Sequence, residues 1–243
     1  MYNIINLGWL IDMNNKKIIK TTDSSKATNI ENKTDKIIIK ILSWLIFLIL
    51  AVAVALLVKY YIITPRIVEQ ESMLPTLQPG QRLILDRWFV TQNKDYTRGM
   101  IVTFEAPSIM NFNEKIDYSN PVAIYNKTNY SFFDGFIHYV LEAEKTTYIK
   151  RIIGLPGEHV NISNGKVYIN GNLLNEPYLT PGTETLATGY TFSDVIVPAG
   201  YVFVMGDNRT KSADSRNFGC IPISRLEGKI VFSFWPLNTW GNF

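Results

Sequence analysis

The sequence is short of the side chains on which several kinds of chemistry rest. Of its 243 residues one is cysteine, Cys220, and two are histidine, His138 and His159. A single thiol excludes an internal disulfide, and a small buried apolar residue is the state expected of it. The scarcity of His and Cys leaves no metal-ligand cluster, and there is no phosphate-cradling glycine loop. Neither a metal nor any other cofactor is implied. The charge balance is nearly even. A net +3, scattered along the chain, is too little to indicate nucleic acid as a partner.

Charge is absent altogether from Ile41 to Val58, eighteen residues reading ILSWLIFLILAVAVALLV. With Ile37–Ile39 added and Lys40 snorkelling at the edge, a helix there reaches about 30 Å at roughly 1.5 Å per residue, the thickness of a hydrocarbon core. A cleaved signal peptide fits poorly, because the run begins about forty residues in and no small-x-small site follows it. A buried core helix would show a polar face. Lys16, Lys17, Lys20, Lys26, Lys33, Lys36 and Lys40 precede the run, whereas Lys59 and Arg66 follow it. The positive-inside rule then places the N-terminus in the cytoplasm, or the stroma of a plastid, and everything after Tyr60 on the far side. The organisation expected is a poorly ordered tail over 1–36, a membrane span over 37–60 and a β-rich domain over 61–243.

Past Tyr61 the pattern turns to short β-type runs separated by Gly, Pro and Asn: Arg82–Asp86, Met100–Phe104, Thr147–Ile153, Lys166–Asn170, Tyr201–Met205 and Gly228–Phe234. Asn164-Gly165 and Asn170-Gly171 are hairpin signals on either side of Lys166–Ile169. No helical periodicity of comparable strength follows the span. The fold class is mainly β, an antiparallel sheet that coils or partly closes on itself. Residues 107–146, rich in Asn and Tyr and weakly patterned, form an insertion or small lobe.

Ser72 lies fourteen residues past the apolar run, in Ser72-Met73-Leu74-Pro75-Thr76-Leu77. A serine hydroxyl needs a base to act as a nucleophile. His138 sits in the weakly patterned stretch and His159 follows the turn Leu155-Pro156-Gly157, where a solvated loop position is expected. No carboxylate pattern accompanies either, which weighs against a Ser–His triad. The other base available is a lysine whose pKa burial lowers. Lys150 stands in an apolar strand, on the same face as Ile152. Such a lysine is either a base or an edge-strand gatekeeper, and spacing alone suits both.

Four blocks carry a resemblance to the type I signal peptidases, the Ser/Lys membrane proteases that remove signal peptides from exported proteins. They are Ser72-Met73-x-Pro75-Thr76-Leu77, Arg98–Phe104, Tyr148–Glu158 and Gly206–Gly219, and the resemblance extends over roughly 60–243. It implies a Ser72 nucleophile, a Lys150 general base, a Ser212 hydroxyl that helps orient the lysine, and an ion pair of Asp214 with Arg216 beneath the site. Asp207, Asn208 and Arg209 are expected as turn and scaffold residues. Without the resemblance Asp214 would serve equally well as a solvated loop carboxylate.

Two positions depart from the family pattern. Met100 stands where an acidic residue is common. Gln70 stands where many members carry a serine that completes the oxyanion hole. The expected oxyanion donors are therefore the Ser72 backbone N–H and the Gln70 amide. Val68, Met73, Leu77, Tyr148 and Ile149 match the lining of shallow subsites for small residues, the Ala-x-Ala pattern, and core packing accounts for them as well. Exposed strand edges near Ser72 suit pairing with an extended substrate.

The resemblance thus implies a single-pass membrane serine endopeptidase, in a bacterial plasma membrane or a plastid thylakoid. Its partners are preproteins with signal peptides and the lipid bilayer. A self-cleaving LexA-like protein shares the chemistry, but the span argues against it. A catalytically inactive relative that binds signal-like segments is the alternative from another class, and retention of both Ser72 and Lys150 argues against that.

Overall fold

The computed structural model describes residues 5–92, 95–108, 120–126, 131–142, 145–186 and 192–243. The chain divides into two compact units, Met1–Ala55 and Leu56–Phe243. The first unit consists of helix. Helix Ile5–Tyr61 supplies it, and its last residues, from Leu56 on, belong to the second. Between Trp9 and Thr64 there is neither glycine nor proline, so nothing interrupts the intrahelical hydrogen bonds. The helix therefore runs through residues 5–36 as well, where composition suggests a poorly ordered tail. Its stretch Lys33–Tyr61 is long and apolar enough to cross a bilayer, and none of it is buried against protein.

Among the described residues twelve strands build the second unit: β1 Ile63–Ile67, β2 Arg82–Asp86, β3 Ile101–Glu105, β4 Thr147–Gly154, β5 His159–Ser163, β6 Lys166–Ile169, β7 Asn172–Leu173, β8 Asp194–Ile196, β9 Tyr201–Met205, β10 Ile221–Pro222, β11 Leu226–Trp235 and β12 Gly241–Asn242. The larger sheet runs β1-β2-β11-β3-β4-β9-β10, with β12 on β11, and the smaller runs β7-β6-β5-β8. Every strand pair is antiparallel. The larger sheet does not close: β1 and β10 remain as edges, and bulges in β11 and β4 supply the coiling. The hairpins at Asn164-Gly165 and Asn170-Gly171 form where expected, all four residues adopting positive φ.

Strands β1, β5 and β8 were not evident in the sequence. β1 contains a proline, and β5 and β8 alternate apolar and polar residues only briefly. His159 is accordingly the first residue of β5 and pairs with Asp194 on β8, rather than lying in a loop. Within 107–146, the described residues form a bridge from Val122 to Cys220, a short helix Phe132–Phe136 and a π-helical turn Ile137–Leu141.

Three apolar clusters hold the sheets. One joins the smaller sheet to β9 through Val160, Val167, Val197 and Phe203, and takes in Cys220, whose thiol burial pushes up to about 12. A second surrounds Phe104, Ile152 and Val204. The third packs Val68, Met73 and Leu77 on Leu83, Leu85, Ile101 and Ile230, and so braces the segment that carries Ser72. Gly154 ends β4 against the first cluster. A Cβ there would lie 2.5 Å from Val160 Cγ2 and 3.0 Å from Val197 Cγ2. Gly154→Ala is therefore expected to destabilise the domain by about 1–3 kcal/mol, measured as a lower urea midpoint with an unchanged slope.

Candidate active site

Ser72 sits in a single 3-10 turn, Glu71–Met73, entered from an extended Gln70. Met73 and Leu77 are buried to either side of Pro75 and anchor the turn in the third cluster. The turn's carbonyl is also held. Ser72 O accepts the Asn208 N–H at 3.0 Å, and Asn208 Nδ2 donates to Glu71 O at 3.1 Å. Gly206 lies against the same carbonyl. A Cβ there would stand 2.4 Å from Ser72 O and 2.3 Å from Ser212 Oγ, so no larger residue fits.

Lys150, 2% exposed, reaches this turn from the middle of β4. Its Nζ lies 2.8 Å from Ser72 Oγ and donates to Ile149 O at 3.1 Å. Burial brings the amine down from 10.5 to about 8, against the opposing pull of Asp214 and Asp207 and with help from Arg216. An amine so placed is able to take the hydroxyl proton of Ser72. The histidines stand elsewhere, His138 beside Glu105 and His159 against Asp194.

The two carboxylates that act on Lys150 are each occupied by an arginine fork. Arg216 Nε and Nη2 donate to Asp214 Oδ1 and Oδ2 at 2.8 and 2.9 Å, while Gly206 N donates to Oδ2 at 3.0 Å. Asp214 also caps the helical turn Ser215–Phe218 in a reciprocal capping box with Asn217. Arg151 Nε and Nη2 donate to Asp207 at 2.9 and 2.6 Å, and Thr76 Oγ1 donates to Asp207 at 2.5 Å. Arg209 pairs with Glu176 and donates to Gly206 O at 3.1 Å. Arg151, Thr76, Gly206 and Glu176 carry no local signal that singles them out. The side-chain partners of Arg151, Thr76 and Glu176 lie 56, 131 and 33 positions away in sequence. Among the described residues, the buried Ser212 Oγ has no hydrogen-bond partner, so it stands next to Gly206 without contacting Lys150 through a hydrogen bond.

Beside Ser72 opens a groove of about 390 Å³, lined by β1 and the segment after it on one side and by Lys145–Lys150 on the other. Val68, Met73, Tyr148 and Ile149 line it, and so does the exposed Gln70. Leu77 does not: it is wholly buried in the cluster beneath, which corrects its assignment to the pocket. Both walls have free backbone edges. Among the described residues β1 pairs only with β2, and β4 begins to pair with β9 only at Arg151, with Thr147–Lys150 unpaired on that side.

A family model described as "Signal peptidase, peptidase S26" matches residues 41–235. The chain is 34% identical over 219 residues to signal peptidase I T of Bacillus subtilis, covering 88% of this chain and 95% of that protein. It is 30% identical over 197 residues to signal peptidase I of Bacillus caldolyticus, covering 77% and 88%. It is 32% identical over 194 residues to a Synechocystis sp. protein named "Probable signal peptidase I-1", covering 80% and 82%.

Removing one partner of the Arg151–Asp207 fork leaves a buried charge uncompensated. Arg151→Met is expected to cost about 3–5 kcal/mol, read as a fall in thermal midpoint, with a smaller fall for the double variant Arg151→Met, Asp207→Leu.

Proposed function

The chain belongs to the signal peptidase family, peptidase S26, and we propose that it cleaves signal peptides with Ser72 as nucleophile and Lys150 as general base. A serine peptidase of this family acts on exported preproteins. The observation that carries the residue assignment is the 2.8 Å approach of Lys150 Nζ to Ser72 Oγ in a buried pocket. Neutral Lys150 takes the Oγ proton as Ser72 attacks the carbonyl carbon before the scissile bond. The oxyanion forms near the Ser72 N–H, and the exposed Gln70 amide supplies a second donor when substrate draws it in. Protonated Lys150 then gives its proton to the departing amine and leaves an ester on Ser72. In the second half Lys150 deprotonates a water, which attacks the ester and restores the serine.

Asp214–Arg216, Arg151–Asp207 and Arg209–Glu176 are positioning pairs in this scheme, and Ser212 acts on the lysine only after a small movement. An extended substrate adds as a strand between the free edges of β1 and Thr147–Lys150. Val68, Met73, Tyr148 and Ile149 leave room beside Ser72 for small side chains, which supports cleavage after Ala-x-Ala. Residues 37–60 cross the membrane once. Residues 1–36 lie on the cytoplasmic or stromal side and 61–243 form the catalytic domain on the far side, at a bacterial plasma membrane or a thylakoid.

The test is cleavage of a preprotein with an Ala-x-Ala signal by the full chain in lipid. A single cut after the second alanine is expected, reduced by ~10³-fold or more in Ser72→Ala and in Lys150→Ala. Unaltered cleavage by either variant would sink the assignment. An uncut preprotein that still binds would favour the inactive relative.

Only neutral Lys150 acts as the base, so kcat/KM is expected to rise ~tenfold per pH unit below about 8 and to level off above it. A pH–rate profile flat from 6 to 9 would contradict this.

A further inference from the structure

The larger sheet leaves a gap where it fails to close, and one buried carboxylate contacts both sides of it. In the sheet, β1 and β4 are separated by β2, β11 and β3, yet they supply the two walls of the groove beside Ser72. Among the described residues no backbone hydrogen bond joins one wall to the other. An extended guest strand needs a neighbour at about 4.8 Å on each side, so the walls must stand roughly 9–10 Å apart to receive it. The sheet ladder does not fix that width.

Glu227 is placed to do so. In the register of β11 on β3, Leu226 faces Phe104 and Gly228 faces Thr103. Glu227 is therefore the extra residue of a bulge, a device that re-aims the side chain it carries. Its side chain is 5% exposed, and its carboxylate meets a cation from each wall. Arg66 Nη2, on β1, donates to Oε2 at 3.0 Å, and Lys145 Nζ, just ahead of β4, pairs with Oε1 at 2.6 Å. Both cations line the groove, Arg66 six positions before Ser72 and Lys145 five before Lys150 on extended segments, and so at the end away from the reacting atoms. Glu142 accepts from the same Arg66 Nη2 at 2.8 Å and from Arg87 at 2.6 Å. It adds a second hold on Arg66 from outside the groove lining. Without the charge on Glu227, Arg66 and Lys145 would be two largely buried cations at one place, which repel strongly where the dielectric is low. The walls they stand on have no shared ladder to resist that push.

We propose that Glu227 is a positioning residue that sets the width of the groove: through Arg66 and Lys145 it holds the two walls at the spacing an extended substrate fills. It touches no reacting atom. This role rests on the reading of the groove as the signal-peptide site.

The gap and the kinetics are measured separately, both on the full chain in lipid. For the gap, Cys220→Ala removes the native thiol, and nitroxide labels are attached at Ile67→Cys and Thr146→Cys, exposed positions on opposite walls. Singly labelled chains give the reference spectra, and each variant is first shown to keep a cooperative thermal transition. Spin–spin broadening between 67 and 146 is expected to weaken in Glu227→Gln, and further in Glu227→Gln with Glu142→Gln. In unlabelled Glu227→Gln, KM for an Ala-x-Ala preprotein is expected to rise about tenfold or more with kcat little changed, because a misplaced chain is held less well while the reacting groups are untouched. Broadening that stays the same would overturn the proposal. So would a wider gap with an unaltered KM, or a loss confined to kcat. Should Glu227→Gln not fold, Lys145→Gln, which frees one wall only, is read against the same outcomes. If the unsubstituted chain cleaves nothing, the signal-peptide reading fails, and the broadening still decides whether Glu227 holds the walls.

Discussion

The geometry of this site turns on keeping a lysine amine buried, with a lowered pKa, and in reach of a serine. Burial alone favours the neutral amine, but a carboxylate facing it directly would undo the effect by stabilising the ammonium form. Two carboxylates are close enough to act on Lys150, and both are engaged by guanidinium forks, Asp214 by Arg216 and Asp207 by Arg151. The forks engage the carboxylates' lone pairs, and the Arg216 charge offsets part of their pull on Lys150. The lysine is left with a hydroxyl and a backbone carbonyl as hydrogen-bond partners, and its pKa falls to about 8. The ion pairs beneath the site thus have an electrostatic consequence as well as a mechanical one.

The mechanical consequence runs through the loop Gly206–Ser212. One end of it is fixed by Asp214 on Gly206 N and by Arg151 on Asp207, and its middle by Arg209 on Glu176. The same loop presents the Asn208 N–H to the Ser72 carbonyl and, at Gly206, allows a backbone approach that any Cβ would block. Ser72 is therefore held through its main chain, while its hydroxyl oxygen meets Lys150 Nζ at 2.8 Å. The open edges of β1 and of Thr147–Lys150 meet beside that turn because the larger sheet coils without closing. An open edge is a liability in a soluble protein, and here both edges border the groove beside Ser72.

Much of this was legible in the residues alone. The charge-free run from Ile41 to Val58, the runs that became β2, β3, β4, β6, β9 and β11, and the two Asn-Gly hairpins all speak through local periodicity and turn chemistry, which need no tertiary partner. Scarcity was informative too, since two histidines without a carboxylate pattern turned attention to Lys150. Residues 5–36 are polar in composition yet contain only one helix breaker, Gly8, and the helix runs through them. Tertiary structure decided the rest. That Lys150 meets Ser72, seventy-eight positions away, follows from strand order alone. Only folding revealed Arg151 as the partner of Asp207, sent Leu77 to the core instead of the groove, and left the Ser212 hydroxyl without a hydrogen bond. Periodicity records which face of a strand a side chain occupies. What meets it there is set by strand order and by loops that return from far along the chain, and burial and pKa follow from that meeting.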